Sequence, residues 1–334
     1  MAKAPRSLAG QVVAITGGGR GIGRATAAAL IRQGARVAIG DIEAPLAEQT
    51  ARELGAETVG LAVDVTDPVS FESFLTEVET RLGPLDVLIN NAGIMPIGPF
   101  VDETDATARR MVDINLHGVI FGSKLALKRF TRRGSGHLVN IASIAGKGGA
   151  VNGATYSATK HAVVGLSDSL RQELRGSGIQ VTVVMPIGVN TELYSGVPQM
   201  RGLKTPEPED VAEAIVEALQ TGRFEVYVPK SMRATIRLTA LLPLRTADAL
   251  ARLLKADQVL AAPDQSARAA YEARMRRTIS GTDDQAPGTP AATTPAATTP
   301  GTMPAKTEAA APPAETSANA PGETEPSERE TQVV

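Results

Sequence analysis

The chain has 334 residues, with 34 Lys and Arg against 36 Asp and Glu, so at a formal charge of −2 no global basic field recruits nucleic acid. It contains no cysteine, which excludes disulfides, thiolate chemistry and cysteine-held metal, and its three histidines (His117, His137, His161) lack metal-ligand spacing. The apolar run in MAKAPRSLAGQVVAIT is too short for a signal peptide, and no stretch approaches the roughly 20 apolar residues of a spanning helix, so a cytoplasmic protein is expected.

The first predicted strand, QVVAIT (11–16), breaks into GGGRGIG and then an alanine-rich helical stretch, RATAAALIRQG. ARVAIGD (35–41) is the second strand, followed by helix-forming APLAEQTAREL. TVGLAVDV (58–65), LDVLIN (85–90), GHLVNIAS (136–143), IQVTVVMP (179–186) and FEVYVP (224–229) repeat the pattern, with helical segments between them. Seven near-continuous Val/Ile/Leu strands alternating with helices predict an α/β fold. The expected form is a doubly wound Rossmann-type parallel sheet with helices on both faces and ligands at the carboxyl ends of the strands.

Beyond this body (residues 1–230) the composition changes. Residues 231–280 carry nine Lys and Arg against four acids, with leucines at helical spacing, and predict a basic amphipathic helical extension. Within it, residues 230–260 form an apolar stripe interleaved with arginines and interrupted at Pro243. Such a stripe can lie peripherally on an anionic membrane, pack across a dimer partner or cap a substrate cleft. The helix SARAAYEARMRRTIS is expected to pack on the body through Tyr271 and Met275. Residues 281–334 hold nine prolines, no aromatic residue and eight acids against two bases, and predict a disordered acidic tail.

TGGGRGIG (16–23) joins the first strand to the first helix. There Gly17, Gly21 and Gly23 let the backbone turn tightly and approach a pyrophosphate, which a helix N-terminus favours. Asp41 ends the second strand about twenty residues later, where a carboxylate accepts from both ribose hydroxyls of NAD and repels a 2′-phosphate. Arg20 pulls the other way, toward that phosphate. The carboxylate decides in favour of NAD over NADP.

In NGATYSATKHAVVG (152–165), Tyr156 and Lys160 stand one helical turn apart, and the pair is either an ordinary surface pair or an acid/base pair. The surrounding motifs choose between these. Through TGGGRGIG, DV at 64–65, NNAG at 90–93, Asn115, Ser143 and YSATK at 156–160, the chain resembles the short-chain dehydrogenase/reductase family over about residues 8–230. The resemblance implies an NAD(P)-dependent oxidoreductase interconverting an alcohol and a ketone or aldehyde, as a homodimer or homotetramer.

By that resemblance Tyr156 is the general acid/base, Lys160 supports its phenolate and holds the nicotinamide ribose, Ser143 steadies the substrate oxygen, and Asn115 positions a relay water. The implied cofactor contacts include Arg20 and Ile22 in the glycine turn, Asp64 and Val65 beside the adenine, and Asn91, Ala92 and Gly93 after the fourth strand. Pro186, Val189 and Thr191 are implied at the carboxamide, and Ile187 stands where the family has glycine. Asn90 reads as a sheet brace, and no metal is implied.

Substrate specificity is expected from Ile94, Met95 and Ile97, from 144–149, and from 192–204 with Leu193, Tyr194, Val197 and Met200. This apolar set predicts a lipophilic substrate, although the same residues could merely pack a lid. Two other function classes stay open: an NAD-binding regulatory or scaffold protein, and a peripheral membrane module built on 231–280.

Overall fold

The computed structural model describes residues 5–55, 58–198, 204–243 and 264–280, with positions 245, 246, 249, 252 and 260. Seven strands, β1 (Val12–Thr16), β2 (Arg36–Asp41), β3 (Thr58–Ala62), β4 (Val87–Asn90), β5 (Gly136–Ile141), β6 (Ile179–Pro186) and β7 (Glu225–Val228), form one sheet. The order is β3-β2-β1-β4-β5-β6-β7 and every pairing is parallel. The strand order reverses between β1 and β4, which opens a crevice at their carboxyl ends.

Helices cover both faces, as a parallel sheet with apolar residues on each side requires. On one face, α1 (Gly21–Arg32), α2 (Ala44–Leu54) and α7 (Pro208–Thr221) bury Leu30, Ala47 and Ile215 against Val13, Ile15 and Ile39. On the other, α3 (Pro68–Leu82), α5 (Gly118–Arg133) and α6 (Ala154–Glu173) bury Phe71, Phe130 and Val163. Helix α4 (Asp105–Val112) runs into α5 through one wide π turn, Asp113–His117. Such turns are rare and recur at functional sites.

Strand ends differ from the sequence reading where a side chain captures the backbone. β3 stops at Ala62, level with Asp41 at the end of its partner β2, and Asp64 Oδ1 then accepts from the Thr66 backbone at 2.9 Å and its hydroxyl at 2.7 Å, starting a turn. β5 stops at Ile141 because Ser143 Oγ accepts from Ala145 N at 3.1 Å and caps a single tight turn, Ile144–Gly146. Both interruptions free the chain to face the crevice.

Two polar links hold the crevice walls in register. Thr16 Oγ1, at the end of β1, accepts from the backbone N–H groups of Asn91 and Ala92, each at 3.1 Å. On β4, the Asn90 amide donates to Asn140 on β5 at 2.9 Å, and Asn140 donates to Ser167 on α6 at 3.0 Å. This buried chain of amides ties the sheet to the helix that carries Tyr156 and Lys160.

β7 is followed by α8 (Met232–Thr239), and α9 spans Gln265–Ser280. The sequence segment 281–334 and Met200 lie outside the described residues. Among the described residues no helix is long and apolar enough to cross a membrane, and no group of three or more His, Asp or Glu could hold a metal ion.

Candidate active site

The carboxyl ends of the strands open into a cavity of about 1420 Å³, more than one drug-sized ligand fills. Of the residues singled out in the sequence, Gly17, Arg20, Gly21, Ile22, Asp41, Asp64, Val65, Asn91, Ala92, Gly93, Ser143, Tyr156, Lys160, Pro186, Val189 and Thr191 line it. Gly23 and Asn115 stand behind its wall.

The glycine turn is shaped as a cradle. Gly17 has φ +62°, and a carbon added to it would fall 2.9 Å from the Ala92 Cα. A carbon added at Gly23 would fall 2.4 Å from the Gly17 carbonyl oxygen, so only glycine lets α1 start this close to the turn. Asn91 closes the turn from below, its amide donating to the carbonyls of Thr16 and Gly17, both at 2.9 Å. The first turn of α1 has no side-chain cap and no acidic residue, which leaves its N–H groups and positive dipole end to an anion.

Asp41 is buried beside this cradle. Its Oδ2 accepts from Gly19 N at 3.1 Å and its Oδ1 from Glu43 N at 3.2 Å, which fixes the carboxylate with lone pairs to spare. Arg20 turns toward Glu43 at 2.6 Å and Glu192 at 3.3 Å. Neither acid was singled out in the sequence, since Glu192 lies 172 positions away along the chain. A side-chain-free anion cradle with a carboxylate beyond it fits a dinucleotide.

Across the cavity, α6 presents Tyr156 and Lys160 from successive turns, with Lys160 Nζ 5.6 Å from the Tyr156 ring centre. Both are buried. Lys160 donates to the Ile141 carbonyl at 3.0 Å, and burial pulls its ammonium down to about 8. Burial pushes the Tyr156 phenol up to about 12, and the Ser143 hydroxyl pulls it part of the way back. Ser143 Oγ lies 3.4 Å from the Pro186 carbonyl, so the strand-end turn also points it at the phenol.

Asn115 is fully buried in the π turn. Its Oδ1 accepts from Ile94 N at 2.8 Å and its Nδ2 donates to Ile94 O at 2.9 Å. A carbon added at Gly93 would sit 3.2 Å from Asn115 Oδ1 and 3.7 Å from Lys160 Nζ, so these three residues meet at one point. Ile187 has an ordinary backbone and donates its N–H to Val228 O at 2.9 Å, extending the β6–β7 pairing. At the next residue, Gly188, an added carbon would fall 2.0 Å from the Tyr194 ring, so Tyr194 packs directly over this backbone.

A family model described as short chain dehydrogenase matches residues 11–202. The chain belongs to the short-chain dehydrogenase/reductase family. It is 39% identical over 191 residues to sorbitol dehydrogenase of Cereibacter sphaeroides, covering 57% of this chain and 75% of that protein. It is 36% identical over 213 residues to 3-alpha-(or 20-beta)-hydroxysteroid dehydrogenase of Mycobacterium bovis, covering 63% and 82%. Among solved structures it is similar to 3-ketoacyl-(acyl-carrier-protein) reductase of Brucella melitensis complexed with NADH, with TM-score 0.62, 28% identity, and 66% and 98% covered. The chain is therefore an oxidoreductase of a family whose solved members include NADH-bound ones.

The roof of the cavity comes from beyond the family match. Met232, Thr235 and Ile236 of α8 and Tyr271, Arg274 and Met275 of α9 line it. Arg268, fully buried, donates to the carbonyls of Met95 and Ser195 at 3.1 Å and of Leu193 at 3.2 Å, clamping the two loops that flank the site. Arg274 pairs with Glu192 at 2.6 Å. The sequence read Arg268 and Arg274 only as charges on a basic helix. One signal was available: the chain has four tyrosines, and Tyr156, Tyr194, Tyr227 and Tyr271 all line this cavity.

Proposed function

We propose that this chain is an NAD-dependent dehydrogenase/reductase interconverting a lipophilic primary or secondary alcohol and its aldehyde or ketone. The observation that carries it is the convergence of Ser143, Tyr156 and Lys160 on the cavity that also holds the glycine cradle and Asp41. In the oxidising direction, Ser143 holds the substrate hydroxyl, and Tyr156 removes its proton as the carbinol carbon gives up its hydride; reduction reverses both transfers. A bound nicotinamide supplies the hydride acceptor or donor. Lys160, as the ammonium, favours the phenolate by its charge and is placed to hold the nicotinamide ribose. Asn115 acts by position, fixing Ile94 and bounding Lys160 on its inner side, where a relay water would run. Asp64, Val65, Asn91, Ala92 and Gly93 flank the dinucleotide, and Pro186, Val189 and Thr191 hold its carboxamide end.

NAD is favoured over NADP because Asp41 faces the cavity while Arg20 is held by Glu43 and Glu192. A 2′-phosphate next to Asp41 costs about 1–4 kcal/mol, depending on how much water remains. NADH is therefore expected to bind at least about fivefold tighter than NADPH, and Asp41→Ala to erase most of that ratio. Fluorescence titration of both nucleotides measures this, and NAD-coupled turnover over alcohols and ketones of graded chain length tests the activity. Equal NADPH binding by the unaltered protein would overturn the cofactor reading.

The relatives' names include a sugar alcohol and a steroid, and the apolar wall of Ile94, Met95, Leu193, Leu260 and Met275 favours a substrate of the second kind. We read residues 1–230 as the catalytic body of a cytoplasmic homodimer or homotetramer, with α8 and α9 as its cover and 281–334 as an acidic tail. A peripheral membrane contact through 231–260 is a second reading, favoured by the exposure of Leu238 and Leu241 beside Arg233 and Arg237. Co-sedimentation with anionic vesicles that is lost in Leu238→Asp supports that contact, and its absence removes it.

A further inference from the structure

The oxidoreductase reading accounts for one phenol in the cavity, Tyr156, and leaves Tyr271 without a role. Tyr271 is 4% exposed, lines the cavity, and accepts a hydrogen bond from Met95 N at 2.7 Å through its hydroxyl oxygen. Its own hydroxyl proton meets no acceptor among the described residues. A buried phenol usually finds one, because the O–H is a strong donor whose desolvation is otherwise uncompensated. With its oxygen turned to Met95 on the cavity wall, the proton is, among the described residues, open to what fills the cavity.

The position of this donor is fixed from several sides. Arg268 holds α9 to the carbonyls of Met95, Leu193 and Ser195. At the head of the helix, Asp264 N donates to Gly196 O at 2.7 Å, and the Asp264 carboxylate accepts from Ser266 N at 2.9 Å and Ala267 N at 3.2 Å. The Arg268 guanidinium lies 5.0 Å and that of Arg274 6.0 Å from the Tyr271 ring centre, which pins the ring itself. A preorganised donor in an apolar wall loses little entropy on binding and discriminates strongly. The phenol also stays protonated: burial raises it to about 12 against the opposing pull of the Met95 N–H and the Arg268 guanidinium.

We propose that Tyr271 is a specificity-determining residue whose hydroxyl proton binds a second oxygen, distinct from the reacting one, on an otherwise apolar substrate. The substrate class is thus a lipophilic ketone or alcohol carrying an additional keto, hydroxyl or ether oxygen. This deepens the oxidoreductase reading and rests on it for the identity of the reacting oxygen.

The test uses the full chain with NADH and a matched ligand series: 2-nonanone and its analogues bearing a second keto or hydroxyl oxygen at successive carbons. Both kcat/KM and ligand affinity, read by thermal shift of the NADH complex, are measured. The unaltered enzyme should prefer one spacing over 2-nonanone by about tenfold or more, and Tyr271→Phe should collapse that preference, its loss falling on the oxygenated ligand. If Tyr271 merely supports Met95, the Phe variant lowers both ligands alike, and the proposal is overturned; so it is if no spacing is preferred. Tyr271→His, which keeps a ring N–H at shorter reach, is the second variant, and its preferred spacing should move; an unmoved spacing counts against the proposal. Should no ligand be turned over while a Tyr271-dependent affinity preference exists, the oxidoreductase reading fails and the Tyr271 assignment stands.

Discussion

Tyr156→Phe is expected to lower kcat by about 10²–10⁴-fold, the usual worth of a positioned acid/base, while NADH affinity holds. The ring keeps its place in the apolar core of α6, so the variant removes the transferable proton and one hydrogen bond to the substrate. The pH profile makes the assignment specific. In the unliganded site burial pushes this phenol up to about 12, so the phenolate needed for alcohol oxidation is scarce at neutral pH. The unaltered enzyme should therefore oxidise faster as pH rises toward 8, above which Lys160 loses the charge that favours the phenolate, and the residual rate of Tyr156→Phe should not follow that rise. Stopped kinetics across pH 6–10 on one established alcohol separate the two. Near-native turnover by the Phe variant would remove Tyr156 from the chemistry and leave Ser143 and Lys160 as structural neighbours.

The local part of this site was legible in the sequence, because its residues act close to where they stand. The glycine turn needs small residues within one strand–helix junction, and Tyr156 and Lys160 need only one helical repeat. The strands were legible for a related reason: a run such as Val12–Ile15 is buried on both faces and is apolar throughout. Their ends were less so, since β3 ends level with Asp41, the last residue of its partner β2, and a strand's length set by its neighbour cannot be read from its own residues. The roof was hidden for a different reason. Arg268 reaches Met95 across 173 positions and Ser195 across 73, and in sequence it is one cation among nine on a basic segment. Nothing local distinguishes a fully buried arginine from a solvated one on the same helix. Arg20 posed the same difficulty: its choice between a phosphate and two carboxylates turns on Glu192, a partner that only the fold brings near.

Lys160→Met is expected to stabilise the unliganded protein while removing most of its turnover. Lys160 is 5% exposed and among the described residues faces no carboxylate, its ammonium donating to the Ile141 carbonyl. Burial therefore lowers its pKa from 10.5 to about 8. Between those two values the unfolded chain binds more protons than the folded one, so stability rises with pH through that window. Below pH 8 the ammonium is charged in both states and the penalty is present in full. At 1.36 kcal/mol per pKa unit it amounts to about 3 kcal/mol. Methionine fills a similar volume without a charge, so the variant should gain up to about 3 kcal/mol at pH 7 and lose the rise between pH 8 and 10.5. Denaturant titrations at pH 7 and pH 10, without nucleotide, measure both. A variant less stable at pH 7, or one that keeps the rise, would show that the buried ammonium is not the source of the penalty. The same charge that weakens the empty fold is the one that favours the Tyr156 phenolate, so the stability gained and the activity lost share one cause.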